Sequence, residues 1–201
     1  MTAQAKVVTI YTESSPNPNS LKFVLNFYLL QNISLDYPSK EEAKESPLAV
    51  ALFDNFDFID GVFLAANFIT ISKKDGTDWH EVIPSVKEFI KQYILEERPV
   101  FSDAIEDKVK EEEKEEEFMS KPSTPEGELD KRIIAVLDEY VRPAVENDGG
   151  AITFDSFKEG VVKVRLQGAC SGCPSSTVTL KNGIENLLKR MVPEVQEVVA
   201  V

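Results

Sequence analysis

Side chains that can hold a transition metal are scarce in this chain. Its 201 residues include two cysteines and one histidine. Structural zinc sites and iron–sulfur clusters usually take four ligands each, mostly from cysteine or histidine. One copy of the chain therefore cannot complete such a site from these residues alone. Its two cysteines, Cys170 and Cys173, are the first candidates for a shared one.

Basic residues and long apolar runs are scarce as well. Lys and Arg number 22 against 35 Asp and Glu, which gives a net charge of −13. Proteins that bind nucleic acid or anionic membranes present clustered Lys and Arg, so neither is an expected partner. No apolar run approaches the roughly 20 residues that span a bilayer. The N-terminus has the pattern of neither a secretory signal nor a transit peptide, so the sequence predicts a cytoplasmic protein.

The excess acid is concentrated in one segment. Residues 106–128 hold ten acidic and four basic side chains, and they supply −6 of the total charge. Such a composition predicts a solvated linker between two domains, because few of its residues can pack in a core. An acidic docking segment and a short Glu/Lys helix stay open as alternatives. The predicted division is an N-terminal domain at 1–100, an acidic flexible linker at 101–128 and a C-terminal domain at 129–201.

The N-terminal domain is predicted to follow the order ββαββα. Runs rich in β-branched and aromatic residues indicate four strands, near residues 7–11, 21–25, 61–67 and 68–72. Ser46 followed by Pro47 is a typical helix start. Asp78 with Glu81 resembles a capping box ahead of a second helix.

The C-terminal domain is predicted to follow the order αββαβ. Apolar residues recur at helical spacing from Leu129 to Val141, and Asp148-Gly149-Gly150 predicts a helix stop and a tight turn. Two half-buried strands, a second helix and a final strand follow, near residues 152–154, 162–166, 178–191 and 195–201. The fold class is therefore α+β, with two small domains of the α/β-sandwich kind.

The motif Cys170-Ser-Gly-Cys173 lies between a predicted strand and a predicted helix. Residues three apart on a helical turn have Cβ atoms about 5–6 Å apart, so two sulfurs can converge on one metal. A helix N-terminus favours the thiolate, which is the metal-binding form. We therefore predict that Cys170 and Cys173 are metal ligands with lowered pKa values. Three alternatives stay open: a thiol–disulfide redox pair, a zinc clamp between two chains, and two incidental buried cysteines.

Two ligands per chain favour a centre that is shared by two chains. A symmetric homodimer places such a centre on its two-fold axis, where each subunit gives Cys170 and Cys173. The single histidine, His80, lies beside Trp79 in the other predicted domain. We interpret it as a surface or capping residue and not as a ligand.

The same residues resemble a known family. Residues 147–151, 162–176 and 180–184 resemble the NifU-like C-terminal domain, and this likeness covers roughly residues 129–201. Residues 11–23, with Pro16-Asn-Pro-Asn-Ser-Leu-Lys22, resemble the N-terminal domain of Nfu-type proteins. Residues 60–62 and 68–70 fit that domain too.

This resemblance implies an iron–sulfur cluster scaffold or carrier, not an enzyme. It implies a [4Fe–4S] cluster that bridges two subunits through Cys170 and Cys173 and is passed to apo-proteins. The implied partners are a second copy of the chain, apo iron–sulfur client proteins and the upstream cluster assembly machinery. The N-terminal domain would serve partner contact or the tuning of assembly.

Overall fold

The computed structural model describes residues 7–30, 33–102, 105, 125–171 and 174–201, with the backbone alone at 125–126 and 174–177. The chain divides into two compact units, one of residues 1–14 and 18–113 and the other of residues 15–17 and 114–201. Residues 106–124, most of the predicted linker, lie outside the described residues. Each unit combines helices with a β-sheet, so the predicted α+β class is confirmed.

The described residues of the N-terminal unit form a five-stranded antiparallel sheet, a 3-10 turn (Ala43–Glu45) and two multi-turn α-helices. Its elements are β1 (Ile10–Ser14), β2 (Ser20–Leu25), β3 (Ser34–Tyr37), α1 (Pro47–Asn55), β4 (Ile59–Ala65), β5 (Phe68–Lys73) and α2 (Trp79–Leu95). The strands lie in the order β1-β2-β5-β4-β3, and every neighbouring pair is antiparallel. The predicted order omitted β3. This edge strand has four residues and pairs with β4, so long-range pairing rather than a local apolar pattern defines it.

One face of this sheet packs against the two helices. Alternate residues of β2 and β5, including Phe23 and Ile71, join Leu52 of α1 and Ile90 of α2 in one buried cluster. A polar N-cap side chain stabilises the first turn of each of these helices. Ser46 accepts a hydrogen bond from the Ala49 N–H at 3.2 Å, as predicted for an N-cap.

The cap of α2 differs in detail from the predicted capping box. The Asp78 carboxylate accepts from the backbone N–H of His80 at 2.9 Å, whereas the Glu81 N–H lies 3.2 Å from the Asp78 carbonyl oxygen. Asp78 is therefore a simple N-cap that satisfies one of the unpaired N–H groups of the first turn.

The C-terminal unit has the predicted order αββαβ. Its elements are α3 (Pro125–Val136), a π-helical turn (Leu137–Val141), α4 (Arg142–Asn147), β6 (Gly150–Lys158), β7 (Val161–Gly168), α5 (Pro174–Met191) and β8 (Glu197–Ala200). The predicted first helix is thus divided. Pro143 has no N–H to continue the ladder, and the Arg142 N–H donates instead to Leu137, five residues back.

The second sheet has the order β6-β7-β8, with β6 antiparallel and β8 parallel to β7. Alternate residues of β7 point into a core shared with α5, as a half-buried strand requires. Glu159 and Gly160, with φ values of 51° and 82°, form the tight β6–β7 turn. No helix in the described ranges is long and apolar enough to cross a membrane.

The side chain of Glu185 connects α5 to β8 through a hydrogen bond. Its carboxylate accepts hydrogen bonds from Lys189 Nζ at 2.5 Å and from the Val198 N–H at 3.1 Å. The bond from Lys189, and then that from Val198, lower the pKa of Glu185. A carboxyl whose pKa is lower in the folded state stabilises the fold above its unfolded pKa, and this contribution is lost as the pH falls through the folded pKa.

Glu185→Gln should therefore remove an acid-sensitive part of the stability. Between about pH 5 and pH 3, urea unfolding midpoints should fall less steeply in this variant than in the parent chain. Glu159→Gln, in the exposed hairpin turn, is the matched control and should keep the parent's profile. Identical slopes for the parent and Glu185→Gln would contradict the assigned role.

Candidate metal centre at Cys170

Cys170 lies in the turn after β7, ahead of α5, as the sequence predicts. The pairing of β6 with β7 ends at the pair Gly150 and Gly168, so this turn starts beside the first residue of β6. Gly168 has a φ of 63°, and its carbonyl oxygen accepts bonds from the Ser171 N–H at 3.1 Å and the Ser171 Oγ at 2.8 Å. These bonds close the turn that contains Cys170.

The backbone of Gly150 lies directly against the Cys170 sulfur. A Cβ placed on Gly150 would be 2.8 Å from Cys170 Sγ and 2.5 Å from the carbonyl oxygen of Gln167. Both distances are shorter than carbon can approach, so only glycine fits. Gly149, with a φ of 85°, makes the predicted tight turn, and its carbonyl oxygen accepts from the Ala169 N–H at 3.2 Å.

Sequence reasoning identified the two glycines as a turn but missed that they form the wall of the cysteine site. A signal was present. The Gly-Gly pair opens a strand whose partner runs straight into Cys170, and one glycine suffices for a turn with positive φ. The second glycine then indicates a close approach to something across the sheet.

Cys170 is 6% exposed. Burial, and then the negative charge of Asp148, raise the pKa of the Cys170 thiol to about 11. The predicted lowering of this pKa is therefore wrong for Cys170. Helix α5 begins only at Pro174, four residues on, whereas Asp148 lies at the end of α4, next to the Gly149-Gly150 wall. In this conformation Cys170 is a neutral thiol at physiological pH.

Cys173 and Gly172 lie outside the described residues, so their predicted roles stay predictions. In the parts of the chain that are described, no three His, Cys, Asp or Glu side chains are placed to hold a metal ion together. His80 is exposed in the first turn of α2, in the N-terminal unit, as expected of a surface residue. Cys170 is thus the one predicted ligand whose surroundings are described.

The start of α5 is more exposed than its middle. Ile184 and Leu188 of α5 join the core, but Val178 is 57% exposed. Val178 is the first side chain of α5 that the structure describes after the cysteine turn. An exposed valine therefore lies on the helix that follows the predicted ligands.

Gly150→Ala should destabilise the C-terminal unit by about 1–3 kcal/mol, because a methyl group there overlaps both the Cys170 sulfur and a backbone oxygen. Gly183→Ala is the matched control. A Cβ on Gly183, within α5, meets no atom within 4 Å, so this change should stabilise the helix by up to about 1 kcal/mol. Urea unfolding measures both, and equal effects would rule out the close approach at Gly150.

Alkylation of Cys170 should be slow at neutral pH, since the thiolate is the reacting form. In apo Cys173→Ser, the iodoacetamide rate should rise about tenfold per pH unit from pH 7 to 10 without a plateau. Asp148→Asn removes the charge that raises the pKa and should speed the reaction at each pH. A plateau below pH 8 would show that the thiol is acidic after all.

Comparisons with known proteins match both halves of the chain. Residues 10–97 match the family model described as scaffold protein Nfu/NifU N terminal, and residues 133–199 match that of the NifU-like domain. A solved NifU-like protein from Saccharomyces cerevisiae aligns with a TM-score of 0.45 at 22% identity, covering 51% of this chain and 91% of that one.

Curated relatives match nearly the whole chain. The Drosophila sechellia protein named NFU1 iron-sulfur cluster scaffold homolog, mitochondrial is 39% identical over 193 residues, which are 94% of this chain. The chain spans 63% of that relative's length. The human protein of the same name is 34% identical over 198 residues, which cover 94% of this chain and 70% of the human one. The chain therefore belongs to the Nfu family of iron–sulfur cluster scaffold proteins.

Proposed function

We propose that this protein is an iron–sulfur cluster carrier. It receives a [4Fe–4S] cluster from upstream assembly machinery, holds it between two subunits and passes it to apo-proteins. The cluster is cargo, and the protein catalyses no reaction on a small substrate. The observation that carries the proposal is Cys170, fixed against Gly150 at the end of β7 in a chain whose relatives are named as iron–sulfur cluster scaffolds.

The ligand set supports sharing between subunits. A [4Fe–4S] cluster usually takes four cysteine thiolates, and this chain has two cysteines. We propose that each subunit gives Cys170 and Cys173, so that a two-fold axis completes the set. The exposed Val178 supports the same arrangement, because a second subunit that meets this end of α5 would cover it.

The chemistry of Cys170 favours a cluster that is held and then released. With a thiol pKa of about 11, protons compete with iron for this sulfur at neutral pH. Binding must displace that proton, so Cys170 contributes less affinity than an acidic thiol would. A client cysteine can then replace the carrier's thiolates one at a time. The raised pKa thus supports transfer rather than permanent storage.

The domain plan is part of the proposal. Residues 1–100 form the Nfu N-terminal domain, which contacts partners or tunes assembly, and residues 129–201 form the cluster-binding domain. The acidic linker, residues 101–128, joins them. Phe101 packs on the N-terminal core and α3 already begins at Pro125, so the ends of this range are structured.

The proposed compartment is the cytoplasm, in contrast to the relatives, whose names place them in mitochondria. Fractionation of cells that make the protein with a C-terminal tag decides between the two. Recovery with the mitochondrial fraction would overturn the cytoplasmic placement without affecting the proposed carrier chemistry.

Anaerobic reconstitution with iron and sulfide tests the carrier role. The parent chain should yield a dimer with visible absorption, a [4Fe–4S] Mössbauer spectrum and about four irons per dimer. Cys170→Ser and Cys173→Ser should each lose most of the bound iron. His80→Ala, which removes the single histidine, is the control and should keep the parent's iron content.

Two results would contradict the proposal. Zinc that is retained after anaerobic purification and that iron cannot replace would indicate a zinc-clamped dimer. Reduction of a disulfide substrate by a chain that forms no chromophore would indicate a thiol–disulfide oxidoreductase.

A further inference from the structure

The helical segment that ends at the cysteine site carries an uncharged, largely apolar stripe on its exposed side. In the described part of the C-terminal unit, the exposed large apolar side chains are Tyr140, Val178, Met191 and Val201. Tyr140 is 50% exposed and lies in the π-helical turn, and Pro143 and Ala144 of α4 are exposed as well. Residues at i, i+3 and i+4 share one face of a helix, so these three form a continuous stripe.

The π-helical turn and α4 together determine which side chains face solvent. Leu137, Val141 and Val145 are buried in the core. Tyr140 is therefore turned outward although its neighbour Val141 is buried. A tyrosine ring combines a large apolar surface with one polar group, which suits a surface that a partner covers. Turns of the π type are themselves frequent at functional sites.

The stripe leads to the Cys170 turn. Asn147, the last residue of α4, is exposed and lies seven residues after Tyr140, so it continues the same face. The Gly149 carbonyl oxygen then accepts a hydrogen bond from the N–H of Ala169, the residue before Cys170, at 3.2 Å. Ala144 and Tyr140 lie about 5 and 10 Å along the helix from Asn147. The stripe is thus within two helical turns of the cysteine site.

A shared cluster requires more contact surface than the cysteine turn offers. A stable interface buries about 800 Å² on each partner, and a circular patch of that area extends about 16 Å from its centre. Two chains that share a cluster meet at their cysteine turns, each of which covers a small part of such a patch. A patch centred on this turn reaches the stripe on α4. It also reaches the start of α5, where Val178 is exposed.

We propose that the stripe of Tyr140, Pro143 and Ala144 belongs to the interface with the second copy of the chain that shares the cluster. This inference rests on the proposed cluster sharing and adds the surface through which the two chains meet. In a two-fold dimer every contact occurs twice, so Tyr140 contributes from both subunits. Tyrosine is also among the residues that contribute most of the binding energy at interfaces.

The interface stabilises the dimer separately from the cluster ligands. Removal of the Tyr140 ring weakens the contact between the subunits but leaves both cysteines of each chain in place. Such a variant should bind the parent's amount of iron at high protein concentration and lose its dimer on dilution. A ligand variant such as Cys170→Ser should instead lose iron at every concentration.

The test compares Tyr140→Ala with Met191→Ala in the full-length protein after anaerobic reconstitution with iron and sulfide. Both changes truncate a large exposed side chain of the C-terminal unit, but Met191 ends α5, about 25 Å along the helix from Pro174. Sedimentation velocity over a dilution series gives the protein concentration at which half of the chains are dimeric. Tyr140→Ala should raise this concentration about tenfold or more, and Met191→Ala should leave it at the parent's value.

Tyr140→Phe keeps the ring and should dissociate at nearly the parent's concentration. Alanine is the best helix former, so Tyr140→Ala keeps the fold, which circular dichroism of the apo-protein checks. Parent-like dissociation of Tyr140→Ala would overturn the proposal, and so would an equal loss in Met191→Ala.

Two further outcomes separate this inference from its neighbours. A Tyr140→Ala dimer that is as stable as the parent's but transfers its cluster more slowly to an apo client would overturn the proposal, because the stripe then binds clients. A parent chain that holds a complete cluster as a monomer would overturn the shared cluster as well. A failure of the interface is therefore distinguishable from a failure of the carrier role.

Discussion

The pairing of Gly150 with Gly168 is the contact on which the candidate site depends. It brings the start of β6 against the end of β7, so that the Asp148-Gly149-Gly150 turn meets Cys170 from across the sheet. The absence of a side chain at Gly150 is what lets the backbone reach the sulfur. The same pairing also buries Cys170 and brings the Asp148 charge near it, and these two effects raise the pKa of the thiol.

Two properties of the candidate site suit a cluster that is bound only for a time. The chain supplies half of a four-cysteine ligand set, and the Cys170 thiol keeps its proton at neutral pH. Two cysteines per chain require a second subunit to complete a four-cysteine site. A buried thiol must lose its proton before it binds iron, so protons compete with iron for Cys170 at neutral pH. Both features suit a carrier, which has to hold its cargo firmly enough for transport and weakly enough for delivery.

Features that depend on residues close in the sequence are predictable from the sequence. Features that depend on contacts between distant residues are not. Helix caps at Ser46 and Asp78 and the order of the C-terminal elements were readable because short-range chemistry sets them. The strand β3 was missed because its four residues depend on β4 for their pairing. The predicted lowering of the Cys170 pKa is wrong because burial and the Asp148 charge act on this thiol, and Asp148 is distant in the sequence, whereas the helix that follows begins only at Pro174. The role of Gly150 likewise exists only once β6 and β7 are paired.

Native mass spectrometry of the anaerobically reconstituted protein tests the central claim most directly, since it weighs chains and cargo together. The account predicts one species that contains two chains and a single [4Fe–4S] cluster, and it predicts that this species separates into cluster-free monomers as an apo client takes up the cluster. A single chain that carries a complete cluster, or a dimer that carries one cluster per chain, would contradict it.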